Sequence, residues 1–317
     1  MKYYSQPMRP SIALVSARVA HDVDEDFTPL RDALHAAGAD VCSPDWDDPA
    51  VDWSAFDLAV LRATWDYSVR VQEFLSWAES TARRTRLLNP LPCVRWNIDK
   101  HYLKDLAAAG VPTIPSHFIE PGQDAHEQAP RFLAATAARE IVVKPAIGAG
   151  SRDAQRHERS NVRGLCEHAQ RIVDSGHSAL LQPYLESVDE HGEAALICYA
   201  GQFSHAIRKG ALLKRGVAAE QGLFAKESIT PRAPTAAELR LAQQTLAAIP
   251  FGIPLYARVD LLLDEQGAPT VLELELTEPS MFFAHAPEAA ARFAAVLMKE
   301  CLSGARATGA PSTAPRA

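Results

Sequence analysis

Two apolar runs, Tyr256-Ala-Arg-Val-Asp-Leu-Leu-Leu263 and Val271-Leu-Glu-Leu-Glu-Leu276, flank Gln266-Gly267 near the end of the chain. Such runs of Val and Leu broken by a glycine read as two strands joined by a turn. Side chains alternate faces along a strand, so Glu273 and Glu275 share a face. Asp260 can reach that face if the strands pair as a hairpin. Three carboxylates converging among Val and Leu repel one another and lose hydration, and a buried cluster of that kind needs a cation. Hard oxygen donors in small number, leaving room for water and phosphate, suit Mg²⁺, with Mn²⁺ as a substitute. The competing reading is an amphipathic strand whose acidic face meets water. Other segments decide between the two.

The chain has 317 residues, 47% hydrophobic and 22% charged, enough for a large core and for two or three compact units. A net charge of −7 argues against nucleic acid as the main partner. No apolar run approaches the roughly 18–20 residues that span a bilayer, so no membrane partner is expected. The first ten residues lack the apolar centre of a signal peptide. Cys42, Cys93, Cys166, Cys198 and Cys301 are odd in number and without paired spacing. They read as reduced thiols of a cytoplasmic protein.

The first strand is Ser11–Val15, followed by a polar loop (His21 to Asp26) and a helix over Phe27–Ala37 closed by Gly38. Val41-Cys42 and Leu58–Leu61 continue the strands, with a helix at Val71–Arg84. This alternation predicts a parallel sheet covered on both faces. Working residues of such sheets sit beyond the carboxyl ends of strands. Arg62-Ala-Thr-Trp-Asp-Tyr67 occupies that position, as a pocket for a small polar substrate or as an ordinary polar loop. A second unit begins near Asn97. Helices are expected over 99–109, 131–139 and 161–176, and strands over Ile141–Pro145 and Ala179–Tyr184. A hairpin over 194–199 and 202–208 turns at Ala200-Gly201, a helix spans 235–248, and another closes the chain over 286–299. The expected units are 1–96 (α/β, on the substrate side), 97–185, 186–302 and a disordered tail over 303–317.

Lys144 ends a strand and precedes Ala146-Ile-Gly-Ala-Gly-Ser-Arg152, where two glycines and a serine let backbone N–H groups approach phosphate. The order is not that of a P-loop, and alone it also fits a surface turn. Gln182-Pro-Tyr-Leu-Glu186 reads as an extended connection that can pair with an adenine edge, with Asp189 and Glu190 beside it for ribose, or as a generic linker. Arg208-Lys209 ends a hairpin and reads as solvated surface charge. Arg258 shares a strand face with Asp260 and can pair with it or hold phosphate.

Taken in order, lysine, glycine-rich loop, Gln-x-Tyr-Leu linker, Gly-Glu hairpin ending in basic residues, Arg-x-Asp and Glu-x-Glu resemble the ATP-grasp superfamily over residues 97 to about 300. The resemblance implies an ATP-grasp fold, an N-terminal parallel α/β domain followed by two α+β lobes clasping ATP. It implies that Lys100 and Lys144 bind ATP phosphates under a lid of Gly148, Gly150, Ser151 and Arg152. Gln182, Tyr184 and Leu185 look like adenine contacts, and Asp189 like the ribose ligand. Asp260, Glu273 and Glu275 look like the Mg²⁺ ligands, although many relatives carry Asn at the position of Glu275. Lys144, Arg208 and Arg258 would neutralise the transferring phosphoryl group. Glu278 and Ser280, in Thr277-Glu-Pro-Ser-Met281, sit where relatives bind the acceptor. Residues 209–222 depart from the family pattern.

The implied activity is ligation: a small amino-acid-like carboxylate becomes an acylphosphate, an amine-type nucleophile attacks it, and ADP and phosphate leave. Asp47-Asp-Pro-Ala-Val-Asp-Trp53, Arg62–Tyr67, Val94-Arg-Trp-Asn97 and Phe203–Lys209 are similar to a branch containing the cycloserine-forming cyclo-ligase, which closes O-ureido-D-serine on itself. That branch lies near glutathione synthetase and the ribosomal-protein glutamate ligase. Arg62, Trp65, Asp66 and Tyr67 are then the candidates for substrate recognition, Asp66 suiting an ammonium and Arg62 a carboxylate. Intramolecular cyclisation is the alternative to intermolecular ligation. A kinase that stops at phosphoryl transfer and a non-catalytic ATP-binding regulatory protein are further alternatives. Homodimers are common in the superfamily, but the chain carries no interface signal.

Overall fold

The computed structural model describes residues 9–213 and 228–308. Strand β1 (Ser11–Ser16), helix α1 (Phe27–Ala36), strands β2 (Asp40–Cys42) and β3 (Leu58–Ala63), helix α2 (Val71–Ala82) and strand β4 (Arg86–Leu88) form the first unit. Its sheet is parallel in the order β2-β1-β3-β4. β3 is buried along its whole length and β1 from Ile12 on, the pattern of parallel strands covered on both faces. Gly38, with φ +92°, ends the turn after α1 in the left-handed conformation that glycine tolerates best.

The next unit holds an unexpected helix α3 (Leu91–Asn97), then α4 (Tyr102–Ala108) within the range 99–109 where a helix was expected, β5 (His117–Ile119) and α5 (Ala125–Ala135). Helix α5 begins six residues ahead of the expected Arg131. Asp124 accepts a hydrogen bond from the His126 N–H at its start, and Pro130 lies inside the helix. Strands β6 (Glu140–Pro145) and β7 (Gln155–Glu158), helix α6 (Val162–Asp174) and β8 (Ala179–Pro183) complete an antiparallel sheet ordered β5-β8-β6-β7.

A short helix α7 (Ser187–His191) leads into strands β9 (Glu193–Tyr199), β10 (Gln202–Lys209) and β11 (Ile229–Arg232). Helix α8 (Ala236–Ala247) opens on a capping box between Thr235 and Glu238. The hairpin β12 (Tyr256–Leu263) and β13 (Pro269–Glu275) gives the sheet its order β11-β10-β9-β12-β13. Helix α9 (Ala289–Thr308) runs six residues past Leu302 into the stretch expected to be disordered; 309–317 lie outside the described residues, as do 214–222 of the departing segment. No helix among the described residues is long and apolar enough to cross a membrane.

The first sheet and the last share a core. Ile12, Leu14, Leu30 and Leu34 pack in one cluster with Ile197, Tyr256, Phe293 and Leu297. Phe293 stacks on Tyr199 at 4.8 Å and meets Tyr256 edge-on at 5.6 Å. Asn89 locks the junction: its Nδ2 donates to the carbonyls of Tyr256 (2.9 Å) and Leu276 (2.7 Å), and its Oδ1 accepts from the Leu255 N–H at 2.8 Å. Each fully buried Leu or Phe in such a cluster contributes about 1.5–3 kcal/mol.

Candidate active site

A β-bulge inserts one residue and turns everything beyond it to the opposite face. Two bulges build the charged face of the last sheet. At the turn end β12 and β13 pair Leu263 with Pro269 and Leu261 with Val271, a register that would set Asp260 opposite Leu272. The shift between Asp260 and Leu261 sets Asp260 opposite Glu273 and Arg258 opposite Glu275. Along β9–β10 the register shifts between Phe203 and His205. Beyond it Lys209, not Arg208, faces Glu193.

This face forms one wall of a cavity of about 650 Å³, to which Lys209, Glu193, Arg258, Glu273 and Glu275 contribute. The opposing wall comes from the second unit: Lys100, Lys144, Gln182, Tyr184, Leu185 and the loop Gly148, Gly150, Ser151 and Arg152. Gly150 and Ser151 have φ of +62° and +59°, which aims successive backbone N–H groups in the manner of anion-binding nests. The first unit and the loop after β13 also line the cavity, with Trp65, Tyr67, Glu278 and Ser280.

Cations and carboxylates are interleaved here. Lys100 Nζ sits 3.0 Å from Glu273 and donates to the Gly148 carbonyl at 3.1 Å. Burial opposes its charge, yet Glu273 and its neighbours hold it above the usual lysine range. Lys144 has no such close partner among the described residues, and burial lowers its pKa. Arg258 pairs with Asp260 (2.8 Å) and with Glu275. Lys209 pairs with Asp260 (2.7 Å) and with Glu193. Burial pushes Glu275 up to about 7, Arg258 opposing it. Glu278 rises to about 8, first through burial and then through Glu275.

The expected trio of metal carboxylates is therefore separated. Asp260 is 1% exposed, lies off the cavity wall, and gives its oxygens to Arg258 and Lys209. Among the described residues no three His, Cys, Asp or Glu side chains converge closely enough to hold a metal ion. Glu273 and Glu275 do fit one. Both are hard oxygen donors on one face of the cavity, and burial holds the Glu275 carboxyl toward neutrality even beside Arg258, a cost that a bound cation would relieve.

Four other expected residues stand elsewhere. Arg208 points away from the cavity, its guanidinium donating to the Glu190 and His191 carbonyls, because the bulge before it reverses the alternation. Asp189 braces the Tyr184 side of the cavity from behind, pairing with Arg156 at 3.1 Å and accepting from the Tyr184 hydroxyl at 2.6 Å. Asp66 accepts from Trp46 Nε1 at 2.8 Å and pairs with Arg70 at 3.2 Å, turned into its own unit. Arg62 is 1% exposed, with Nη1 donating to the Pro279 carbonyl at 2.8 Å, so it is closed to a substrate carboxylate. Gln182 lines the cavity, its Nε2 donating to Ser116 at 2.9 Å. Lys209, Glu193 and the acidic loop Asp22–Asp26 line the cavity without having been singled out for it. The resemblance pointed to Arg208, and the bulge in β10 turns Lys209 to the cavity in its place.

Residues 12–89 match the family model described as the D-cycloserine synthetase DcsG N-terminal domain. The chain is 42% identical over 297 residues to the cycloserine biosynthesis protein DcsG of Streptomyces lavendulae, covering 90% of this chain and 97% of that protein. It superposes on the crystal structure of D-cycloserine synthetase DcsG with a TM-score of 0.87 at 40% identity, over 92% of this chain and 99% of that one. The ATP-grasp ligase PsnB, solved with a precursor variant, Mg and ADP, shares the fold at a TM-score of 0.63 and 16% identity, over 93% of this chain and 99% of that one.

Proposed function

Because the chain belongs to the family of D-cycloserine synthetase DcsG, within the ATP-grasp ligases, we propose that it is the ring-closing enzyme for O-ureido-D-serine or a near analogue. It is an ATP-dependent ligase that forms a C–N bond. The observation that carries the site is the cavity in which Lys100, Lys144, Lys209 and Arg258 face Glu273 and Glu275.

A carboxylate is a poor electrophile. Its oxygen attacks the γ-phosphorus of ATP, the bond to the β-phosphate oxygen breaks, and ADP leaves an acylphosphate. The nucleophilic nitrogen of the same molecule then attacks the carbonyl carbon, losing its proton as the C–O bond to phosphate breaks. Lys100, Lys144, Lys209 and Arg258 offset the phosphate charge through both steps. Glu273 and Glu275 would hold Mg²⁺, which when bound would supply a further positive charge beside the phosphates. Asp260, held here by Arg258 and Lys209, would join those ligands only if both cations turned from it to the phosphates. The backbone of Tyr184 and Leu185 offers the adenine edge its partners, and the loop from Gly148 to Arg152 shields the acylphosphate from water. Trp65, Tyr67, Glu278 and Ser280 face the amino acid.

The test incubates the purified protein with ATP, Mg²⁺ and O-ureido-D-serine, alone and with added amines, reading phosphate and product mass together. Phosphate release with the single acid, and a product of that acid that has lost at least one water, supports ring closure. Release that depends on a second component, with the condensed mass, replaces it with intermolecular ligation.

A further inference from the structure

The stretch from Glu278 to Phe283 leaves β13 and borders the cavity through Glu278, Ser280 and Phe282. Its polar backbone groups are gripped by the first unit, more than 200 residues away in the chain. Trp65 Nε1 donates to the Glu278 carbonyl at 3.2 Å and Arg62 Nη1 to the Pro279 carbonyl at 2.8 Å. The Asp26 carboxylate accepts from three successive N–H groups, those of Met281, Phe282 (3.1 Å) and Phe283 (2.8 Å). Arg62 Nη2 reaches back to Asp26 at 3.4 Å and Asp24 at 3.6 Å, closing the group.

Three consecutive N–H groups aimed at one anion form a nest. The nest requires Phe282 in the left-handed region, φ +55° and ψ +43°, which residues with side chains rarely adopt. Such a conformation persists only where its surroundings over-determine it, and it is a recurrent feature of ligand-holding segments. Both anchors are shut away, Asp26 at 5% and Arg62 at 1% exposure, and both Asp26 oxygens are turned to the loop. A buried ion pair is weak evidence for stability, and its best-attested use is to select one conformation.

We propose that Asp26 and Arg62 are positioning residues that set the acceptor loop, so that selectivity for the amino acid rests on the junction between the two units. Asp26 and Arg62 act through the loop: the nest orients Phe282, the Pro279 contact orients the peptide before Ser280, and Glu278 is held from both its carbonyl and its Tyr67-bonded carboxyl. The inference rests on the reading that the cavity takes a small amino acid beside Glu278 and Ser280.

Kinetics of Asp26→Asn and Arg62→Lys, with O-ureido-D-serine and ATP varied separately, test it. Asp26→Asn puts an amide donor against backbone donors. The KM for the acid should rise at least tenfold while the KM for ATP moves less than twofold, and Arg62→Lys should follow with a smaller shift. A loss spread equally over both substrates, or an unchanged KM for the acid, overturns the proposal. Wild-type protein inactive on the acid would instead sink the functional reading. Amide hydrogen exchange on the free wild-type protein then still decides the inference, as it does if the variants do not fold. Slow exchange at residues 281–283 without any substrate supports a preset loop, and exchange as fast as in an open loop refutes it.

Discussion

Glu278 lines the cavity with its carboxyl bonded to the Tyr67 hydroxyl. With a folded pKa of about 8 against an ordinary value of 4.5, it keeps its proton in the native state where the unfolded chain has lost it. The stability this lends is complete below about pH 4.5 and disappears as pH rises toward 8, at a slope of at most about 1.4 kcal/mol per pH unit. Thermal melts of nucleotide-free protein should therefore fall over that range, and Glu278→Gln should flatten the fall. An unchanged slope would mean the carboxyl titrates normally. Neighbouring basic residues give a sharper contrast. Lys209→Ala should slow phosphate release about 10²–10³-fold, whereas Arg208→Ala should stay within about threefold because its donors are spent on carbonyls of the α7 segment. Glu273→Gln and Lys144→Ala should abolish turnover and leave the circular dichroism unchanged. Wild-type rates in metal-replete samples would remove both residues from the site.

Single elements carry their own stability signatures. On β7 and α6, His157 Nε2 and His168 Nδ1 lie 2.9 Å apart, and His168 Nε2 sits 3.3 Å from Asp153, just past the glycine-rich loop. Burial, with His168 and Arg171 adding to it, lowers His157 to about 4. Burial likewise lowers His168 against the pull of Asp153. A histidine held neutral in the native state takes up a proton on unfolding, so this pair stabilises the fold above about pH 6.5 and ceases to do so as pH falls toward 4. His157→Gln should weaken the loss of melting temperature over that interval, and an identical acid profile would refute the buried pair. The same elements mark how far a sequence reading reaches. Long periodic segments, such as α6, α8 and the β12–β13 hairpin, are legible because many residues vote for one period. The three-residue strands β4 and β5 and the five-residue α7 are too short to show a period, and only pairing or packing reveals them.

At the scale of the molecule, the first sheet, β9–β12 and α9 enclose a common core, with Asn89 at its seam. Asn89→Ala would leave two carbonyls and the Leu255 N–H buried without their partner, at about 1–3 kcal/mol for each orphaned group that water cannot reach. Denaturant titration of wild-type protein checks the shared core. All five tryptophans, Trp46, Trp53, Trp65, Trp77 and Trp96, fall within residues 1–96, so their fluorescence reports on the first unit and its border, while far-UV circular dichroism reports on the whole. The two curves should coincide, and a first unit that melts separately would contradict the common core. In Asn89→Ala the midpoint should drop in both signals together.

The sequence by itself determined the ingredients and their neighbourhoods: a parallel α/β unit, a lysine before a glycine-rich loop, an extended linker, and carboxylates set among Val and Leu. These follow from local rules, namely strand alternation, glycine freedom and the cost of burying charge. The tertiary structure decided which of these groups meet. One-residue bulges in β10 and in the β12–β13 pair chose Lys209 over Arg208 and brought Asp260 round to Glu273, against the register the turns would set alone. A bulge exists only in the pairing of two strands, so no count along one strand reveals it. Asp26 meets Phe283 across 257 residues of chain, and Arg62 is spent on Pro279, because the first unit docks on the last. Those contacts are set by packing between distant segments, which alternation and composition along the chain do not encode.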